Sequence, residues 1–173
     1  YFGKVKLGMD IANLSDIQSE SGVIGTLIYH PNYIAHTDYL KPNHFFGKEN
    51  ACIYWSIQEL FKEGITNIDA YNISNKLQSH NGVQNTIDKY NLPSVQEFIE
   101  LYKEAARDSL EEYKMLAENI ITFAFKRDLM KVFNQIEMKC YKPEYNLEKM
   151  NNRVYSELDH WTRNFVVASD VEI

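Results

Sequence analysis

The sequence predicts an all-α fold, a small globular helical bundle followed by a long antiparallel helical hairpin. Three observations carry that expectation. Apolar residues recur at helical spacing along most of the chain, while alternating strand patterns are scarce. From Ser109 to Lys139 there is neither glycine nor proline, which predicts one helix of roughly 30 residues and about 45 Å. After a turn marked by Pro143 and Asn146, the residues Leu147, Met150, Val154, Leu158, Trp161 and Phe165 are spaced 3, 4, 4, 3 and 4 apart. That is the seam of a second long helix, and two long helices joined by a short turn form a hairpin.

The earlier elements follow in order. A first helix is expected from about Asp16 to Tyr29, capped by Ser15 or Asp16, with Ile17, Val23, Ile24, Leu27 and Ile28 as apolar positions. His30-Pro31 stops it, because a residue before proline avoids the helical region. A short segment around Tyr33–Leu40 leads to a turn at Lys41-Pro42-Asn43. The second helix spans about Lys48 to Glu63 and ends at Gly64. Asn67-Ile68-Asp69 caps a third, Ala70 to Gln78, which His80-Asn81-Gly82 terminates. Val83–Leu92 reads as a loop with a turn of helix, and Pro93-Ser94 starts a further helix, Val95 to Ala106. In domain terms this gives a tail over 1–15, a globular subdomain over 16–106, a hairpin over 107–167 and the start of a linker over 168–173.

Composition narrows the function. At 45% hydrophobic residues the chain has ample material for a core, so disorder is excluded. Its net charge of −6 disfavours gripping phosphate backbone as the principal task. Cys52 and Cys140 form neither a CxxC pair nor a metal spacing, which fits isolated thiols in a reducing cytoplasm. No apolar run is long enough to span a membrane. The opening Tyr1-Phe2-Gly3 lacks methionine, and a piece cut from a longer protein is expected.

No catalytic, cofactor-binding or metal site is expected. Gly22-Val23-Ile24-Gly25-Thr26 lacks the lysine of a phosphate loop and sits inside a helix, so its glycines are read as allowing close helix packing. His30, His36 and His44 have no cysteines or placed carboxylates to complete a metal set. Asp159 and His160 are helix neighbours that point apart. Lys126, Arg127 and Lys131 form a modest basic cluster, read either as ion pairing with Asp128 and neighbouring acids or as a contact to nucleic acid or an acidic partner.

The long helix is apolar on more than one stripe. Leu116, Ile120 and Phe123 lie on one line, with Tyr113, Ala117, Ile121, Phe125, Leu129, Val132, Phe133 and Ile136 around it. Either the extra residues pack on the globular helices, or another subunit covers them. The second reading makes Phe123, Phe125, Leu129, Phe133, Ile136, Met150, Val154, Leu158 and Trp161 candidates for self-association.

The order of landmarks resembles a known family. Glu20-Ser21-Gly22-Val23-Ile24-Gly25-Thr26-Leu27-Ile28 resembles the E-Q-x-V-L-G-x-L-L opening of the N-terminal domain of DnaB-type replicative DNA helicases. His30-Pro31 stands at its D-P stop, and Leu40-Lys41-Pro42-Asn43-His44-Phe45-Phe46 is similar to its L-x-P-E-D-F-Y turn. Ile53, Ile57, Leu60, Phe61, Glu63 and Gly64 follow its second helix, and Ile68-Asp69 match its P-I-D cap. Tyr113, Ala117, Ile120-Ile121 and Arg127-Asp128-Leu129 resemble its first hairpin helix. Ser21, Asn50, Asn67 and Phe123-Ala124 depart from the family's glutamine, histidine, proline and charged pair, which suggests a divergent phage or low-GC bacterial member.

The resemblance implies a non-catalytic collar domain that pairs through its hairpin within a hexamer of three dimers and docks primase or a helicase loader. It implies ATP and Mg only in a downstream hydrolase domain, where DNA binding would also lie. Two alternatives stand beside it, the helicase-binding C-terminal domain of a primase and, from another class, a small all-α metal-dependent hydrolase.

Overall fold

The computed structural model describes residues 13–80 and 95–169, with side chains as far as residue 163. The expected loop over Val83–Leu92, the helix start at Pro93-Ser94, the Phe165 end of the seam and most of the expected tail and linker lie outside these residues. The described part is all-α. Its helices are α1 (Ile17–Tyr29), α2 (Lys48–Lys62), α3 (Ala70–Gln78), α4 (Val95–Ala105), α5 (Leu110–Cys140) and α6 (Leu147–Ser169), with 3₁₀ turns at Pro31–His36 and Pro42–His44.

Local chemistry explains the boundaries. The Asp16 carboxylate caps α1, accepting from the Ser19 N–H at 3.1 Å and the Ser19 hydroxyl at 2.6 Å. Pro31 ends α1 and begins a 3₁₀ turn, so the segment that sequence left as merely short is a defined corner. Gly64 closes α2 at φ +79°, with Ile65 N–H reaching back to the Leu60 carbonyl at 2.9 Å, a conformation that glycine adopts without steric cost. Asp69 caps α3 by accepting from the Asn72 N–H at 2.8 Å. Ser109 Oγ accepts from the Glu112 N–H at 3.2 Å at the start of α5.

Contacts divide the chain into two compact units, Tyr1–Phe123 and Ala124–Ile173, so the division falls inside α5. The first unit holds the core. Val23, Ile24 and Leu27 of α1 are buried with Ile53, Tyr54 and Ile57 of α2, Ile73 and Leu77 of α3, and Ile99 and Tyr102 of α4. Tyr113, Ala117 and Ile120 of α5 complete it. The extra apolar residues in this half of the long helix therefore serve the protein's own core.

Two features order that core. The first is the close approach of α1 to α4. A Cβ on Gly25 would lie 1.9 Å from the Tyr102 carbonyl oxygen, and one on Gly22 would lie 3.4 Å from the Ala105 carbonyl oxygen and 2.7 Å from the Leu116 side chain of α5. Next to this contact, Thr26 Oγ1 donates to the Gly22 carbonyl at 2.6 Å and accepts from the Arg107 N–H at 2.9 Å. The second is the buried carboxylate of Glu20, which accepts from the Phe46 N–H, from the Gly47 N–H at 3.1 Å and from Asn50 Nδ2 at 2.7 Å. Asn50 Oδ1 in turn accepts from the Tyr102 hydroxyl at 2.5 Å. A buried charge is tolerated when such donors replace water. An amide at position 50 supplies a donor and an acceptor together, as a neutral histidine would.

Candidate assembly surface

Within residues 124–163 the geometry is that of a hairpin with one inner seam and one outer stripe. Asn146 starts α6, its Oδ1 accepting from the Lys149 N–H at 2.9 Å. Phe125, Leu129, Val132 and Ile136 share one face of α5 at helical spacing, Met150, Val154, Leu158 and Trp161 share one face of α6, and all are half-buried; we assign these faces to the seam. No described residue after Arg127 is buried. Two helices alone cannot enclose a side chain from all sides, so a hairpin of this kind leaves its seam partly open.

The outer stripe was not separated from the seam in the sequence. Met130, Phe133, Met138 and Tyr141 are exposed, Phe133 at 47% and Tyr141 at 80%. At about 100° per residue Met130 and Met138 lie roughly 130–150° away from the Phe125–Ile136 face and Phe133 about 70° from it, while Tyr141 follows the end of α5. Of the candidate self-association residues, Phe133 therefore lies on the outer stripe. Phe125, Leu129, Ile136, Met150, Val154, Leu158 and Trp161 lie on the seam, and Phe123 is half-buried in the globular unit.

One ion pair interrupts the apolar seam. Lys139 Nζ lies 2.8 Å from Glu157 Oε1, with the two side chains only 13% and 15% exposed. Arg153 Nε reaches the same oxygen at 2.9 Å. The Lys139 hydrogen bond, aided by the two cations' fields, holds the Glu157 carboxyl below the usual carboxylate range against the opposing effect of burial. The sequence reading missed this pair. Its available signal was a glutamate beside Leu158 at seam spacing.

The basic cluster does not come together as one surface. Arg127 is 7% exposed, which removes it from any solvent-facing set. Lys126 is exposed, and Lys131 lies 3.4 Å from Asp128. Three of the histidines make local contacts: His30 stacks on Tyr33 at 4.8 Å, His80 meets the edge of Trp55 at 5.1 Å, and His44 Nδ1 accepts from the Lys41 N–H at 3.0 Å. Asp159 pairs with Arg163 at 3.0 Å, one turn along the helix. Among the described residues no group of three or more His, Cys, Asp or Glu could hold a metal ion. Cys140 is exposed, while Cys52 is buried and its thiol is pushed up, chiefly by desolvation.

The described residues thus form a helical bundle and a hairpin whose α5 carries exposed apolar side chains. The family model for the DnaB-like helicase N-terminal domain matches residues 12–113, more than half of the chain, and the chain belongs to that family. Among solved structures, the N-terminal domain of DnaB helicase from Mycobacterium tuberculosis matches with a TM-score of 0.67 and 16% identity, over 83% of this chain and 96% of that one. At that identity the likeness speaks for the fold. No curated protein matches the chain. The chain is thus a helicase N-terminal domain, the non-catalytic part that serves oligomerisation, and the catalytic helicase domain is not in the matched region.

Proposed function

We propose that this domain pairs with a second copy of itself through the outer stripe of α5, with Phe133 on the edge of that stripe nearest the seam and the open side of the seam beside it. The observation that carries the reading is the absence of any buried residue after Arg127 among the described ones, combined with an apolar stripe turned away from α6. Uncovered apolar surface of this kind marks an interface. Charge supports it too. Residues 124–173 hold eight Lys and Arg against eight Asp and Glu, so the whole net charge of −6 falls on residues 1–123. Two hairpins can approach each other without net repulsion.

In the same reading three such dimers form the collar of a hexamer, and the collar offers a docking surface to primase or to a helicase loader. The family supports a parent chain whose ATP- and Mg-dependent, DNA-gripping domain lies beyond this one. No described helix is long and apolar enough to cross a membrane, and we place the parent helicase in the cytoplasm, where a replication protein works. The family match favours the helicase over the primase side of that contact.

The test is the solution mass of the purified protein over a concentration series. Dimers or their multiples are expected for the wild type, and Phe133→Asp should yield monomer with unchanged helical circular dichroism. A wild type that stays monomeric throughout overturns the reading. Titration with a primase's helicase-binding domain then tests docking separately.

A further inference from the structure

We infer that the Lys139–Glu157 ion pair sets the register of α6 on α5, and through it the surface that the hairpin presents to a second copy. Apolar contact is non-directional, and a seam repeating every three or four residues fits its partner nearly as well after a slide. A heptad slide of α6, about 10 Å, would bring Leu147 to the level now held by Val154 and Val154 to that of Trp161, so that part of the seam would stay apolar, while Asn151 would take the place of Leu158. Leu147 continues the seam spacing and yet is 89% exposed. Burial of that side chain is therefore forgone in the register the protein adopts.

The ion pair supplies the directional contact that the seam lacks. Glu157 Oε1 takes Lys139 Nζ from α5 at 2.8 Å and Arg153 Nε from α6 at 2.9 Å. The heptad slide would carry the carboxylate about 10 Å from Lys139 and leave both groups half-buried without each other. A polar contact in an apolar seam fixes register because the shifted pairings strand its charges. The register argument stands on the hairpin alone. Its consequence for assembly rests on the self-association proposed above, so the two are read separately.

The register is measured by spin-label distances between Cys140, which is exposed while Cys52 is buried, and a cysteine introduced by Arg163→Cys. Labelled protein is diluted into unlabelled chain to suppress distances between copies. One narrow distribution is expected with the pair intact. Lys139→Met/Glu157→Leu should keep helicity and melting temperature while adding a second population displaced by about 10 Å. Glu157→Gln, which keeps the shape and removes the charge, should add a smaller population at the same displacement. An unchanged narrow distribution in Glu157→Gln, or a broad one with the pair intact, overturns the inference. Sedimentation of the same variants reports on assembly: the register claim survives a monomeric wild type, and the self-association reading survives an unchanged distance.

Discussion

At the scale of single residues, Gly25 and three tyrosines set limits that the rest of the fold obeys. The clash that Gly25→Ala would introduce is with backbone, the Tyr102 carbonyl, so no rotamer change relieves it. We expect a loss of about 2–3 kcal/mol, near the top of the overpacking range, and a melting temperature lower by roughly 2–4 °C per kcal/mol for a chain of this size. Tyr54, Tyr102 and Tyr113 are buried, and desolvation raises each phenol above its ordinary range. Each proton is then held more tightly in the folded chain than in the unfolded one. Their contribution is fully present below the unfolded pKa of about 10 and is lost as pH rises from there, at roughly 1.4 kcal/mol per pH unit for each residue. Denaturant midpoints followed from pH 8 to pH 11 should therefore stay level and then fall, and Tyr102→Phe should make the fall shallower.

At the scale of elements, one carboxylate links the two helices of the hairpin. The folded-state pKa of Glu157 is lowered, so its stabilisation is present above the unfolded value of about 4.3 and is lost as pH falls through the folded value. Wild type and Glu157→Gln should differ in melting temperature at neutral pH and converge in acid; a gap that persists there would remove the charge from the explanation. The two halves of α5 are held by different means. Tyr113, Ala117 and Ile120 are enclosed by the globular helices, whereas the half beyond Arg127 encloses nothing. The stripes of apolar residues in the sequence were legible as an excess, but periodicity cannot say which helix covers which stripe.

At the scale of the whole molecule, charge is partitioned, with the acidic excess on the globular unit and none on the hairpin. If the hairpin's apolar stripe drives association, the dimer should be as strong or stronger at about 1 M salt as at about 0.1 M, since screening weakens charge pairs and leaves apolar burial intact. Sedimentation at the two salt concentrations decides this, and dissociation at high salt would point instead to charge pairs such as those of Lys126 and Lys131. The acidic globular surface also suits a basic protein partner better than a phosphate backbone.

What the sequence determined by itself was local: helix starts at Asp16, Asp69 and Asn146, the stops at Pro31 and Gly64, and the unbroken run that became α5. Caps, prolines and glycines act over a few residues, so their effects can be read along the chain. The order of those landmarks was enough to place the family. Tertiary structure alone decided that Glu20 is a buried hub reaching 26 to 30 residues onward, that Arg127 is not a surface cation, and that an ion pair interrupts the hairpin seam. It also separated Phe133 from the seam residues beside it. Each of these depends on which faces meet across long stretches of sequence, and a one-dimensional pattern does not hold that information.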